Sequence, residues 1–302
     1  MPTTTSPTTG SGPTERAVAA DPHYTLWVEE RGDPGRSTLL LVMGANASGV
    51  AWPDALVDRL AERHRVVRYD HRDTGRSTRG FSAHPYAIRD LATDAVAVLD
   101  ALDVDRAHVV GMSLGGTLAQ LLLLDHPRRL RSATLFATSA LGAGLADVDG
   151  SGPALPGPDP RLLALWAELG AERGPEEERD WRVRHWRLLH GDVLPFDPAE
   201  YRALEERVAA HSGTWTNPAA HARADQAGLD RGAELAAVTV PTLVIEAPED
   251  PVNPPPHAAH LAGALGSARL VTVPGMGHSL PAAVVPALAA AILEHTAAAK
   301  RR

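Results

Sequence analysis

The stretch that most constrains this chain is Ala107-His108-Val109-Val110-Gly111-Met112-Ser113-Leu114-Gly115-Gly116. Val109 and Val110 are β-branched and sit in a short apolar run, which suits a central parallel strand. Leu118, Leu121 and Leu122, with Ala119 and Leu123 beside them, continue as an apolar helix that Pro127 stops. Between the two, Gly111, Gly115 and Gly116 crowd around Ser113. Only small neighbours let a strand and a helix approach so closely at a sharp turn, and the serine hydroxyl then projects from its tip. A glycine-rich turn with an ordinary serine would carry the same G-x-S-x-G letters. The strand before it and the helix after it favour a serine placed to react.

A chain of 302 residues can bury one large α/β core and still carry an insertion. No apolar run is long enough to span a bilayer. The net charge of -8 argues against a nucleic-acid partner, which wants a basic face. The absence of cysteine excludes disulfides, a thiol nucleophile and thiolate metal sites.

Residues 1–20 are rich in Thr, Ser, Pro and Gly and are expected to be disordered. They lack the basic start and apolar core of a secretory signal, so a cytoplasmic location is expected. An alternating strand follows at 24–29, then a solidly apolar one at 38–43 that runs into the small-residue loop Gly44-Ala45-Asn46-Ala47-Ser48-Gly49. A helix over 52–62, a strand over 65–69 and an amphipathic helix over 88–102 lead to the serine turn. The loop Asp70-His71-Arg72-Asp73 has no metal-ligand spacing and reads as a brace for the site. A further strand lies near 133–137. This alternation of strand and helix implies a parallel, doubly wound sheet with ligand sites at its C-terminal edge.

The pattern breaks at residue 141. Positions 142–160 form a Gly/Pro-rich linker, the chain up to residue 235 reads as helices broken by turns, and strands resume at 240–245. The expected organisation is therefore a core of residues 21–140 and 236–302 with a helical lid, 141–235, inserted between two strands. Trp166, Trp181, Trp186 and Trp215 lie in that insertion. Any one of them can serve as packing; as a group they suggest an apolar substrate pocket, with Trp166, Trp186 and Trp215 as candidate binding residues.

A serine hydroxyl needs a base near neutral pH, and the base needs a partner that fixes its tautomer. A nucleophile elbow of this kind expects the chain order serine, acid, histidine. Ser113 is followed by the proline-stiffened loop Glu246-Ala247-Pro248-Glu249-Asp250-Pro251, and that by Pro274-Gly275-Met276-Gly277-His278-Ser279 directly after a strand. Asp250 is the candidate acid, with Glu246 and Glu249 as competitors, and His278 is the candidate base. Surface positions suit His257, His260 and His295. The tetrahedral oxyanion needs donors, expected from the backbone N–H groups of Leu114, at a helix start, and Ala45.

Val42-Met43-Gly44-Ala45-Asn46, Trp52-Pro53-Asp54, Arg68-Tyr69-Asp70-His71-Arg72-Asp73-Thr74-Gly75-Arg76-Ser77, His84-Pro85-Tyr86, the serine turn and Pro274-Gly275-Met276-Gly277-His278 resemble the aclacinomycin methylesterase branch of the α/β-hydrolase superfamily. The likeness runs from about Val18 to the C-terminus. It implies an α/β-hydrolase fold and an esterase that removes the methyl group of a carbomethoxy ester on an anthracycline-type aromatic polyketide, releasing methanol and the free acid. The family's triad and oxyanion positions fall on Ser113, Asp250, His278, Leu114 and Ala45. The chain departs from the family pattern at Ala45, where the family has glycine, and at Leu114-Gly115-Gly116, where it has Met-Gly-Ala; backbone donors tolerate both changes. The lid matches only in places, such as Pro195-Phe196-Asp197.

The expected partner is thus a small-molecule ester, with no metal or organic cofactor, no nucleic acid and no membrane, in a monomer or small homo-oligomer. A general carboxylesterase, lactonase or perhydrolase with the same triad is the near alternative, and a non-catalytic ligand receptor on the same fold the distant one. Epoxide hydrolases and dehalogenases need a carboxylate where Ser113 stands.

Overall fold

Leu39 and Leu41 pack into one apolar cluster while Leu40 and Val42 pack into another, so their strand is covered on both faces. Val109 and Val110 divide in the same way. Such a strand needs helices above and below it, and the computed structural model, which describes residues 12–143, 155–216 and 219–300, shows that arrangement.

Eight strands form one sheet: β1 (Thr14–Ala19), β2 (Thr25–Arg31), β3 (Thr38–Val42), β4 (Arg65–Tyr69), β5 (Ala107–Met112), β6 (Leu130–Phe136), β7 (Thr242–Glu246) and β8 (Arg269–Thr272). Their spatial order is β1-β2-β4-β3-β5-β6-β7-β8. β1 and β2 pair antiparallel, as do β2 and β4; every later pairing is parallel. Helices α1 (Asp54–Ala61) and α9 (Val285–Ala299) cover one face through Leu56, Leu60, Leu288 and Ile292. The other face carries α2 (Ile88–Ala101), α3 (Leu114–Asp125) and α8 (His257–Ala264) through Leu91, Val98, Leu118, Leu122 and Leu261. The expected α/β-hydrolase architecture is the one observed. β5 lies in the middle of the sheet, so the turn into α3 opens at its centre.

Between β6 and β7 run α4 (Pro160–Trp166), α5 (Pro175–His190), α6 (Pro198–Ser212) and the short α7 (Ala220–Arg223). Asp159 and Asp197 cap α4 and α6, each accepting the N–H two residues on and each followed by a proline that suits the first helical position. The linker expected at 142–160 falls largely on residues 144–154, outside the described residues.

Two expectations are corrected. Disorder through residue 20 does not hold for Thr14–Ala19, which forms the edge strand β1; residues 1–11 lie outside the described residues. The segment's polar composition hides the strand because one side chain, Val18, is buried while the ladder to β2 and an Arg16–Glu30 ion pair at 2.6 Å supply the rest. His257 and His295 are not at the surface but buried. His257 Nε2 donates to the carbonyl of Pro156 at 2.8 Å, tying α8 to the approach of the inserted helices.

Among the described residues no helix is long and apolar enough to cross a membrane, and no group of three or more His, Cys, Asp or Glu side chains is placed to hold a metal ion.

Candidate active site

The serine turn is as tight as its glycines suggest. A Cβ on Gly111 would collide with the carbonyl oxygen of Gly115, and one on Gly115 with the carbonyl oxygen of Val42; on Gly116 it would sit 2.5 Å from Thr138 Cγ2. Ser113 itself takes φ +56° and ψ -122°, a region that costs a non-glycine residue about 1–3 kcal/mol. Its N–H donates to Phe136 O at 3.1 Å, which anchors the strained turn to β6.

Three sequence-distant side chains meet there. Ser113 Oγ lies 3.0 Å from His278 Nε2, and His278 Nδ1 lies 2.9 Å from both carboxylate oxygens of Asp250. Asp250 is buried, and its Oδ1 also accepts the N–H groups of Val252 and Asn253 at 2.7 and 3.0 Å. Burial alone would push its carboxyl up, but the neighbouring His278 and the two backbone donors outweigh that and hold it below its ordinary value. The competing acids lie elsewhere: Glu246 Oε2 accepts from Thr272 Oγ1 at 2.9 Å, and Glu249 packs its Cβ toward Gly191.

The loop after β3 passes against the same serine, since a Cβ on Gly44 would lie 3.2 Å from Ser113 Cβ. Ala45 and Leu114 both border the cavity above Ser113. Leu114 is the first residue of α3, so no carbonyl of its own helix can take its N–H. The polar loop after β4 braces this corner: His71 Nε2 donates to Met43 O at 3.0 Å, and buried Asp70 accepts from Ser48 Oγ, the N–H of Gly49 and His211 Nε2 at 2.5, 2.7 and 2.7 Å.

That cavity holds about 610 Å³, ample for a polycyclic ligand, and Ser113 and His278 lie in its wall. Trp166 and Trp186 line it. Trp215 does not; its backbone carbonyl instead accepts from Arg182 Nη2 at 2.8 Å, and the ring stacks beneath the guanidinium. Its place in the wall goes to Trp181, whose indole N–H donates to Glu168 at 3.0 Å. A buried ionic girder backs these rings: Arg182 bonds Glu178 and Glu205 at 2.9 and 2.8 Å, and Glu205 accepts the Trp186 indole N–H at 2.6 Å.

Two histidines of the inserted segment also reach the cavity, and the sequence offers no periodic or motif signal for either. His185 accepts the Trp166 indole N–H at Nε2, 2.9 Å away. Burial, reinforced by the charges of His278 and Arg182, pushes its ring down to about 4, so it is neutral near pH 7. His221, on α7, faces the Ala45 loop.

Sheet order, elbow and triad geometry together define a class, and sequence comparison agrees: the profile of the alpha/beta hydrolase fold family matches residues 37–281. The chain belongs to the α/β-hydrolase family. Among its relatives, rhodomycin D methylesterase DauP of Streptomyces sp. (strain C5) is 50% identical over 294 residues, covering 94% of this chain and 98% of the relative. Rhodomycin D methylesterase DnrP of Streptomyces peucetius is 48% identical over 285 residues, covering 91% and 96%. The crystal structure of a hydrolase from Pseudomonas aeruginosa superposes with a TM-score of 0.71 at 28% identity, covering 93% of this chain and 97% of that one.

Proposed function

We propose that the chain is a serine carboxylic-ester hydrolase that demethylates an anthracycline-type aromatic polyketide methyl ester, with Ser113, His278 and Asp250 as nucleophile, base and orienting acid. The observation that carries the reading is the continuous hydrogen-bonded chain from Asp250 through His278 to Ser113, opening into a tryptophan-lined cavity. The identity to two rhodomycin D methylesterases over nearly the whole chain supports the substrate class.

In this reading His278 Nε2 takes the hydroxyl proton as Ser113 Oγ attacks the ester carbonyl. Asp250 accepts the Nδ1–H and stabilises the imidazolium that forms. The N–H groups of Ala45 and Leu114 receive the oxyanion, and the dipole of α3 favours its charge. His278 returns the proton to methoxide, methanol leaves, and water repeats the sequence on the acyl-enzyme to release the free acid. The planar rings of the substrate lie against Trp166, Trp181 and Trp186, whose faces suit offset stacking.

The test is to incubate the protein and its Ser113→Ala variant with an anthracycline methyl ester and, separately, with nitrophenyl acetate, following products by mass spectrometry. Serine-dependent loss of one CH₂ from the polyketide, with kcat/KM well above that for the simple ester, is expected. Turnover of the simple ester alone would overturn the substrate assignment, and turnover surviving in Ser113→Ala would overturn the mechanism.

A further inference from the structure

The turn that carries Ala45 is gripped at both ends by histidines from different parts of the chain. His71, after β4, donates to the carbonyl of Met43 at its entrance. At its exit His221, from the segment inserted between β6 and β7, accepts the N–H of Asn46 at Nδ1, 2.9 Å away. The grip is reciprocal, because the backbone N–H of His221 donates to Asn46 Oδ1 at 3.2 Å. His221 Nε2 donates to the carbonyl of Arg72 at 3.0 Å, so its two ring nitrogens have opposite and fully assigned roles. Burial, with His71 alongside, pushes the ring down to about 3, which keeps Nδ1 an acceptor at neutral pH.

The geometry of the turn explains why it needs holding. Asn46 takes φ +58°, and Ala47 N–H reaches back to Gly44 O at 3.4 Å, the arrangement of a turn with its third residue left-handed. Rotating the central Ala45–Asn46 peptide converts such a turn to one in which that residue is right-handed, the conformation most side chains prefer. The rotation would break the Asn46 N–H bond to His221. The Gly44–Ala45 peptide, whose N–H is the proposed oxyanion donor, lies between the two anchored peptides.

Resting on the function proposed above, we propose that His221 is a positioning residue for the reaction: it locks the 44–47 turn, and so makes the Ala45 oxyanion donor dependent on docking of the inserted helices. Removing the ring's two bonds costs transition-state stabilisation rather than substrate binding.

The experiment uses the full chain with nitrophenyl acetate, an ester too small to reach most of the cavity wall. His221→Leu is expected to lower kcat about 30-fold, below the roughly 100- to 1000-fold that outright loss of one oxyanion donor costs because the donor is displaced rather than removed, with KM within about twofold. Affinity for a trifluoromethyl ketone, which forms a tetrahedral adduct on the serine, should fall by the same factor, while affinity for acetate stays unchanged. His221→Gln offers an amide oxygen to Asn46 and an amide N–H to Arg72, and should restore kcat to within about threefold of the parent. Asn46→Gly keeps the left-handed turn accessible and removes only the reciprocal bond; about a 3- to 10-fold fall in kcat is expected, and it serves if His221→Leu does not fold. A rise in KM at constant kcat, equal loss of ketone and acetate affinity, or failure of Gln to rescue overturns the proposal. Nitrophenyl turnover that survives Ser113→Ala would instead overturn the esterase mechanism and carry this proposal down with it.

Discussion

The backbone N–H of His278 donates to the carbonyl of Leu189 at 2.7 Å, so the loop bearing the proposed base is registered on the last turn of α5. Gly277 makes this contact possible, since a Cβ there would collide with the carbonyl oxygen of His190 and sit 2.6 Å from that of Leu189. One residue further, Ser279 Oγ meets Tyr201 Oη at 2.8 Å, and Tyr201 Oη meets His190 Nδ1 at 2.8 Å. The inserted helices thus help to position the proposed base as well as lining the cavity beside Ser113.

Gly277→Ala should therefore damage catalysis more than its size suggests. Overpacking of this kind costs about 1–3 kcal/mol, and a base displaced by about 1 Å can lose on the order of 100-fold in rate. The expected outcome is a lower Tm together with a fall in kcat of that order. An unchanged kcat would mean that the His278 ring is positioned independently of α5.

Asp250→Asn should lower kcat by about 10⁴, because an amide cannot stabilise the imidazolium and favours the wrong tautomer. Glu246→Gln should leave kcat near the parent value, since its carboxylate bonds Thr272 and not His278. Steady-state kinetics of both variants on one ester decides the matter. The reverse ranking would make Glu246 the acid.

The sheet and the proposed triad were legible because each is written locally. A two-sided apolar strand such as 38–42, a glycine cluster around Ser113, and an acid loop and a histidine loop that each follow a strand are patterns within a few residues. Asp250 was separable from Glu246 and Glu249 by its prolines alone. What stayed hidden depends on contacts between distant segments. β1 is stabilised by pairing with β2, α7 is four residues long, and His221 finds Asn46 across 175 positions. Trp215 and Trp181 look alike in sequence; the direction each faces is set by how α5 and α6 pack around Arg182.

Acid should unfold the protein through buried histidines. His64 is held between Ser37 and Thr296, His108 bonds Ser132, and burial pushes their rings down to about 4 and about 3. A histidine kept neutral in the fold contributes stability that is full above its unfolded value near 6.5, and the contribution is lost as pH falls toward the folded value. The affected window is therefore about pH 6.5 down to about 4 for His64 and about 3 for His108, at up to roughly 1.4 kcal/mol per pH unit for each group. Asp250, with its carboxyl below the ordinary value, adds to the loss only at lower pH. Urea midpoints at pH 7 and pH 5 should differ clearly for the parent and less for His108→Gln. Equal midpoints at the two pH values would show that these rings protonate without unfolding.

His185 should set substrate preference through a single polar contact in an aromatic wall. Its Nε2 is committed to the Trp166 indole N–H, which can only donate, so the neutral ring carries its proton on Nδ1. Among the described residues no acceptor takes that Nδ1–H, and the ring borders the cavity between Trp181 and Trp186. A polycyclic ester with a phenolic or quinone oxygen at its edge can supply the acceptor; nitrophenyl acetate, which lacks that edge, is the control. His185→Phe keeps the stacking surface and deletes both the donor and the acceptor that holds the Trp166 indole N–H. A neutral hydrogen bond is worth about 0.5–1.5 kcal/mol net, so kcat/KM for the polyketide ester should fall about 3- to 10-fold, while that for nitrophenyl acetate stays constant. Equal losses on the two esters would point to a packing role for the ring, and no loss on either would leave the tryptophans alone to hold the substrate.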